Sequence, residues 1–389
     1  MACCQVYADN AATTRPSRQA VAAMLPWLLE GYGNPSSLYR QGREARRAVE
    51  AARVQLAQAL GCQPTEVFFT SGGTEADNWA LRGILGAMAP QGKTRLITSQ
   101  VEHHAILHTA RALEAQGCPV TYLPVDRWGM VSPRRLEEAL GTGGDTALVS
   151  IMYANNEIGT LQPIEELAYL CRSRGVLFHT DAVQGVGHLP IDFHGQRLDL
   201  LSLSAHKFHG PKGVGALVVR QGIPFPATLM EGGGQERGRR AGTENVPGIV
   251  AMGAAIQESA AEMDCQIHRL MCLRDRLIQG LLRVPGCFLN GHPTRRLPGN
   301  VHLSFDGVDG ADLIPLLDDA GIAASTGSAC SAGSQEVSHV LAAIGLEPGL
   351  ARGSLRLTLG SGNTTADVDL LLQRIPPIIR QLRSQPPPS

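Results

Sequence analysis

The sequence lacks any apolar run approaching the ~20 residues that a membrane-crossing helix needs, so no membrane span is expected. Its start, Met-Ala-Cys-Cys-Gln-Val-Tyr, has no basic stretch followed by an apolar one. That argues against a secretory signal and for a cytoplasmic protein. Charge of one sign is also missing: 34 basic residues stand against 35 acidic ones, a net charge of -1. Such balance is not the electrostatic footprint of a nucleic-acid binder. The short basic runs, Arg237 with Arg239–Arg240 and Arg295–Arg296, read as loops or site lining. The nine cysteines, at 3, 4, 62, 118, 171, 265, 272, 287 and 330, form no C-x-x-C pair, and their number is odd. Neither a disulfide framework nor a tetrahedral zinc site fits, so no metal is expected. Most of these thiols read as small apolar residues in a reducing compartment. Internal repeats and low-complexity blocks are absent, and no glycine turn has the G-x-G-x-x-G spacing of a nicotinamide site.

What is present points to an α/β protein. A chain of 389 residues exceeds one small core and suits two domains. In the first half, short apolar strands (66–70, 95–98, 120–123, 146–152, 176–179 and 198–203) alternate with helical patterns (42–60, 76–87, 105–116 and 163–174). That alternation predicts a mostly parallel sheet covered on both faces, with ligands beyond the carboxyl ends of the strands. From about Val250 the texture changes. A long helical stretch to about Leu282 is followed by strand-like pieces at 301–305 and 354–359 and by helical patterns at 311–320 and 367–382. This predicts a smaller α+β domain, with a frayed Pro-rich tail at 385–389.

Three motifs sit at predicted strand ends. Ser71-Gly-Gly-Thr-Glu75 follows a strand and opens a helix, whose free N–H groups and dipole favour a phosphate; it also fits an ordinary strand–helix turn. Asp181, in His179-Thr-Asp-Ala-Val-Gln184, ends a buried strand. An acid there needs a cationic partner, such as a pyridinium nitrogen, or else it caps a helix. Lys207, among Ser204-Ala-His-Lys-Phe-His-Gly-Pro-Lys-Gly213, suits a Schiff-base amine or an ordinary surface loop. Together, in this order, the three are far more telling than any one of them.

At this point the chain resembles the cysteine desulfurases of the NifS/IscS type, in the aminotransferase class V group of fold-type I pyridoxal 5'-phosphate (PLP) enzymes. The matching stretches are 7–14 (YADNAATT), 33–37 (GNPSS), 70–75 (TSGGTE), Glu102-His103, 154–159 (ANNEIG), 179–184, 204–213, 240–245 (RAGTEN) and 327–331 (GSACS). The resemblance implies a fold-type I PLP-dependent transferase, with a seven-stranded-type sheet in a large domain (15–255) and a small α+β domain (1–14 with 256–389). It implies that Lys207 holds the cofactor covalently and later moves protons. Asp181 would pair with its ring nitrogen, and Gly73, Thr74, Ser204 and His206 would hold its phosphate. His103 would stack on the ring, and Asn155 and Gln184 would meet its phenolic oxygen. Thr243 would reach the phosphate of a second subunit, implying a homodimer. Arg356 would clamp the substrate carboxylate, assisted by Asn34. His179 is left out of this set, since a packed core histidine is an equal reading.

Cys330 lies in a segment of small and polar residues, Ser325 to Gln335, that buries little. By the resemblance it takes sulfur from L-cysteine as a persulfide, leaving alanine. The sulfur then passes to an acceptor protein, an iron–sulfur scaffold or another carrier. The other eight cysteines read as buried, except Cys3 and Cys4 near the terminus. One departure stands out: after Leu359-Gly360 the family often has Arg, whereas this chain has Ser361. Selenocysteine lyases and class V aminotransferases share the fold and stay open as alternatives, as does a non-catalytic partner that kept the fold.

Overall fold

The computed structural model describes residues 6–142, 144–327 and 337–384. Cys3, Cys4, Cys330 and the Pro-rich tail lie outside the described residues. The chain begins with a short strand, β1 (Val6–Tyr7), then α1 (Arg18–Leu29) and α2 (Arg40–Leu60). Ser17 starts α1 by accepting a hydrogen bond from Ala20 N, which satisfies one of the free amides of the first turn. Helix α2 buries Ala45, Val49, Ala52, Leu56 and Leu60, one face at helical spacing. It stops at Gly61, which takes the left-handed conformation (φ 65°) that other residues resist.

Strands and helices then alternate: β2 (Val67–Thr70), α3 (Gly73–Met88), β3 (Arg95–Ser99), α4 (His104–Ala115), β4 (Val120–Leu123), α5 (Pro133–Leu140), β5 (Thr146–Ser150), α6 (Ile164–Ser173), β6 (Leu177–Asp181), β7 (Leu200–Ser204) and β8 (Gly215–Val219). Seven strands form one sheet in the order β2-β8-β7-β6-β5-β3-β4. β8 runs antiparallel to both neighbours, and the remaining pairs are parallel. The expected mostly parallel sheet is present, and β8 is the strand that the sequence pattern did not single out. Both faces are covered. Phe69, Ile97, Val149 and Leu201 join one core, while Phe68, Leu96, Leu148 and Leu200 join the other. Adjacent residues therefore point to opposite faces, and each strand reads as an unbroken apolar run.

After a single turn, α7 (Gln235–Gly238), the 36-residue helix α8 (Val246–Leu281) leads away from the sheet. At ~1.5 Å per residue it is ~54 Å long. Its first turns are buried in the large core and its last turns in a separate one. β9 (Cys287–Leu289), β10 (Asn300–Phe305), α9 (Gly310–Asp319), β11 (Ile322–Ala323), α10 (His339–Ala343), α11 (Pro348–Arg352), β12 (Ser354–Thr358) and α12 (Thr365–Ser384) complete the chain. The antiparallel sheet β12-β10-β9 carries this second core, with Leu303, Phe305, Leu355, Leu371 and Ile375 at its centre. β1 pairs with β11 and brings Val6 and Ala8 into the same core.

The cysteines depart from expectation at three positions. Cys62, Cys171 and Cys287 are buried, but Cys118 is half-buried and Cys265 and Cys272 are exposed. Cys265 lies on the stretch of α8 between its two buried ends, and Cys272 lies on the outward face of the second buried end, between Leu270 and Leu273.

Candidate active site

The carboxyl ends of β2, β3, β5, β6 and β7 open on one edge of the large sheet, as the parallel topology requires. A cavity of about 320 Å³ lies there. Gly73 and Thr74, Asp77, His103 and His104, Asp181, Gln184, Ser204, His206, Lys207, Gly327 and Arg356 all line it. The backbone makes room for it. A Cβ on Gly73 would stand 2.5 Å from Val183 Cγ2, and one on Gly215 would stand 2.5 Å from Leu203 O and 2.7 Å from Gly72 Cα. Only glycine lets β7, β8 and the start of α3 approach so closely.

Helix α3 begins at Gly73, so its free N–H groups and positive dipole end face the cavity. Ser204 and His206 stand beside it, at and just beyond the end of β7. His206 Nδ1 lies 3.1 Å from Thr13 Oγ1. Burial and the ammonium groups of Lys207 and Lys212 lower it to about 4, so it is neutral near pH 7. This is a place for a phosphate.

Asp181, at the end of β6, is buried, and its Oδ1 accepts a hydrogen bond from Val183 N at 2.9 Å. Burial raises its carboxyl to about 6, against the pull of the Val183 amide and the Lys207 ammonium. Lys207 Nζ donates to Ala11 O at 2.6 Å and Ala12 O at 2.8 Å. Gln184 Nε2 also donates to Ala11 O, at 3.0 Å. His103 is the N-cap of α4, and its Nδ1 accepts from Ala105 N at 3.1 Å. That bond fixes the tautomer with the proton on Nε2. Burial, then the Lys207 charge, lowers His103 to about 4, so a neutral ring faces the cavity.

Arg356 reaches the cavity from β12 in the other core and is 2% exposed. Its Nη2 pairs with Asp9 Oδ1 at 2.8 Å, and its Nη1 donates to Asn156 O at 2.9 Å and Gly327 O at 2.8 Å. Nε has no hydrogen-bond partner among the described residues. A buried guanidinium with an unused donor on a cavity wall suits a carboxylate ligand.

Not every expected residue meets here. The cavity is lined by Ala154 and Asn156 rather than Asn155. Asn155 is fully buried, with Nδ2 on Val101 O and Oδ1 holding Glu157 N and Ile158 N. Asn34 lies in the loop before α2, its Oδ1 accepting from Ser36 N, and it does not line the cavity. Thr243 is exposed and also outside it. Cys330 is outside the described residues, although Gly327, three positions earlier, is on the wall. Ser361, where the family often has Arg, bonds His209 Nε2 at 3.1 Å and lines a separate, larger groove.

Several lining residues were not singled out from the sequence. Asp77 sits among ordinary helix positions and carries no local signal. His104 and His339 form part of the rim, with ring centres 4.9 Å apart. Glu157 bonds Ser338 Oγ at 2.5 Å; it lies within a quoted motif, yet nothing in that motif gave it a task.

A lysine amine, a buried acid for a ring nitrogen, a neutral imidazole wall and a helix N-terminus for a phosphate together fit PLP. The aminotransferase class-V family matches residues 6–371, and the chain belongs to that family of PLP-dependent enzymes. Within it, the chain is of the NifS/IscS cysteine desulfurase type. The cysteine desulfurase IscS of Methanosarcina thermophila is 53% identical over 98% of this chain and 94% of its own. A solved NifS-like protein superimposes with a TM-score of 0.90 at 39% identity, covering 97% of this chain and 99% of its own. A structure of SspA in complex with cysteine matches with a TM-score of 0.80 at 35% identity, over 91% of this chain and 98% of its own.

Proposed function

We propose that this chain is a PLP-dependent cysteine desulfurase: it removes sulfur from L-cysteine, releases alanine and holds the sulfur as a persulfide on Cys330. The observation that carries the reading is the meeting of Lys207, Asp181 and Arg356 in one cavity. An amine, an acid and a carboxylate-reading guanidinium are what an α-amino acid handled by PLP requires. The solved relative in complex with cysteine supports the choice of substrate.

The residues would divide the work as follows. Gly73, Thr74, Ser204 and His206 hold the phosphate, and His103 stacks on the ring. Asp181 meets the ring nitrogen, and PLP, when bound, supplies the electron sink. Arg356 orients the substrate carboxylate through its planar fork. Lys207 Nζ, once released, takes the α-proton of the substrate and later returns a proton to carbon. The Cys330 thiolate attacks the substrate sulfur. An S–S bond forms, the substrate C–S bond breaks, and its electron pair stays on carbon, which is protonated to give alanine. The other described thiols are poor candidates. Burial pushes Cys62 and Cys287 up to about 12 and Cys171 higher still. Cys118, Cys265 and Cys272 do not line the cavity.

The reading extends to a homodimer in which Thr243 completes the partner's phosphate site. Its exposure, and the exposed apolar side chains of Leu28, Leu29, Tyr32 and Leu38, support that. It includes a division into a large unit (15–255) and a small one (1–14 with 256–389), which the two separate cores support. It places the protein in the cytoplasm, a setting compatible with free thiols at all six described cysteines. It also assigns an acceptor protein for the sulfur, an iron–sulfur scaffold or another carrier. The test is direct. Purified protein given L-cysteine and dithiothreitol should form alanine and sulfide in equal amounts, and Lys207→Ala should form neither. Product from Lys207→Ala at the wild-type rate would refute the scheme.

A further inference from the structure

Arg240 has no task in this scheme, and the backbone just before it is strained. Glu236 (φ 44°, ψ 46°) and Arg237 (φ 59°, ψ 34°), both in α7, take the left-handed conformation that side chains resist. Two such residues in a row persist only where their surroundings fix them, and such places cluster at functional sites.

The fixing contacts are buried. Glu236 is 5% exposed, and its carboxylate meets the Arg53 guanidinium of α2 twice, with Nη1 donating to Oε2 at 2.9 Å and Nη2 to Oε1 at 2.8 Å. Oε2 also accepts from Phe69 N at 2.9 Å, and Arg53 Nη1 donates to Val67 O at 2.7 Å. Such a paired fork sets orientation as well as distance. The strained turn is thereby held on α2 and on β2, the strand that leads into the Ser71–Thr74 turn.

Arg240, three residues beyond Arg237, carries the chain back onto that phosphate turn. Its Nε donates to Glu75 Oε1 at 2.8 Å and its Nη2 to Glu75 Oε2 at 3.1 Å. Glu75, in the first turn of α3, also accepts from Ser71 N through Oε2 at 2.7 Å. Against burial, the Arg240 fork and the Ser71 amide hold the Glu75 carboxyl below its ordinary value, so the pair is charged near pH 7. Beyond Arg240 two more contacts pin the chain. Gly242 N donates to Gln235 Oε1 at 3.1 Å, and Asn245 Oδ1 caps α8 by accepting from Gly248 N at 3.1 Å. Thr243, itself exposed, stands between those two pins.

The residue assigned to the partner's phosphate is thus tied, through Arg240 and Glu75, to the turn assigned to this subunit's own. We propose that Arg240 is a positioning residue for Thr243, anchored on Glu75, so that the phosphate contact given to the partner subunit is set by the phosphate turn of the subunit that gives it. This rests on the assignment of Thr243 made above.

The test compares wild type with Thr243→Ala, Arg240→Ala, Arg240→Lys, Glu75→Gln, Arg240→Ala/Glu75→Gln and Arg240→Ala/Thr243→Ala. Each apoprotein is titrated with PLP, and the ³¹P resonance of the bound phosphate, the elution volume and the apoprotein Tm are read. Arg240→Ala should weaken PLP about tenfold at unchanged elution volume, the worth of one charge-assisted contact. It should also move the ³¹P resonance in the same direction as Thr243→Ala does. Arg240→Lys keeps the charge but loses the fork, and should fall between Arg240→Ala and wild type. Glu75→Gln should weaken PLP about as much as Arg240→Ala, and the Arg240→Ala/Glu75→Gln double no more than the larger single loss, because the two share one interaction. In the Thr243→Ala background, Arg240→Ala should cost less than about twofold. A further loss of about tenfold in that background, additive losses from Arg240 and Glu75, a lowered apoprotein Tm with affinity and ³¹P resonance intact, or a loss that comes only with monomeric elution each overturns the proposal. If Thr243→Ala binds PLP as wild type does, the Thr243 assignment falls and this proposal with it. If Thr243→Ala weakens PLP while Arg240→Ala does not, this proposal alone falls.

Discussion

Arg356 Nη1 donates to Gly327 O at 2.8 Å. The guanidinium assigned to the substrate carboxylate is thereby tied to the residue three positions before Cys330. In the proposed scheme, the side chain that reads the substrate also anchors Gly327, three positions before the proposed sulfur acceptor.

Replacing that side chain therefore has two separable effects. Arg356→Lys keeps a charge but loses the fork, and KM for cysteine should rise at least about tenfold while PLP stays bound. Arg356→Ala also strands Asp9 and the carbonyls of Asn156 and Gly327, and should cost about 3 kcal/mol in urea unfolding. Steady-state kinetics and denaturation read the two effects apart.

Gly73→Ala should weaken PLP binding about tenfold or more, because its Cβ meets Val183 Cγ2 at 2.5 Å and displaces the start of α3. Adding Val183→Ala removes the obstructing methyl and should recover much of the loss. A PLP titration of the two apoproteins checks this.

Acidification should unfold the apoprotein well above the ordinary carboxylate range. Burial lowers His103, His188 and His206 to about 4, and His179 and His302 to about 3. In the unfolded chain these imidazoles take up protons near ~6.5. Between that value and about 4 the unfolded state binds more protons, so the stability these groups give above pH ~6.5 is lost as pH falls. Over the same range the buried carboxyls of Glu102 and Asp181, raised to about 8 and about 6, take up protons in the folded state before the unfolded one and offset part of this loss. The drop in Tm should therefore be clearest from pH 6 to 5, and a Tm that rises over that interval would show that these rings are not held neutral.

The exposed apolar side chains of Leu28 (57%) and Leu29 (69%) are expected to be covered by a second subunit. The Leu28→Asp/Leu29→Asp double variant should elute as a monomer and bind PLP more weakly, because it loses the partner's Thr243. Thr243→Ala should weaken PLP binding without changing the elution volume. Size-exclusion chromatography with a PLP titration separates these outcomes.

Much of this was legible in the sequence because strand ends carry the chemistry. Asp181 and Ser204 close strands whose apolar runs are unmistakable, and Lys207 follows directly. Asp77 was not legible: a lone acid in a helix reads as solvated, and only the packing of α3 on β6 and β7 buries it. Cys265 and Cys272 misled for the converse reason. Their small apolar character suggested a core, but Cys265 falls on the turns of α8 between the two cores, and Cys272 on the outward face of a turn whose Leu270 and Leu273 are buried. β8 escaped notice because it runs against its neighbours and follows a glycine-rich turn rather than a helix.

The central claim is that Cys330 receives the sulfur, and Cys330→Ser tests it most directly. The account predicts that this variant keeps its yellow cofactor but, given L-cysteine and dithiothreitol, makes neither alanine nor sulfide, while wild type makes both and carries one extra sulfur on Cys330 by peptide mass. A Cys330→Ser protein as active as wild type would contradict the account and return the chain to the lyase or aminotransferase alternatives on the same fold.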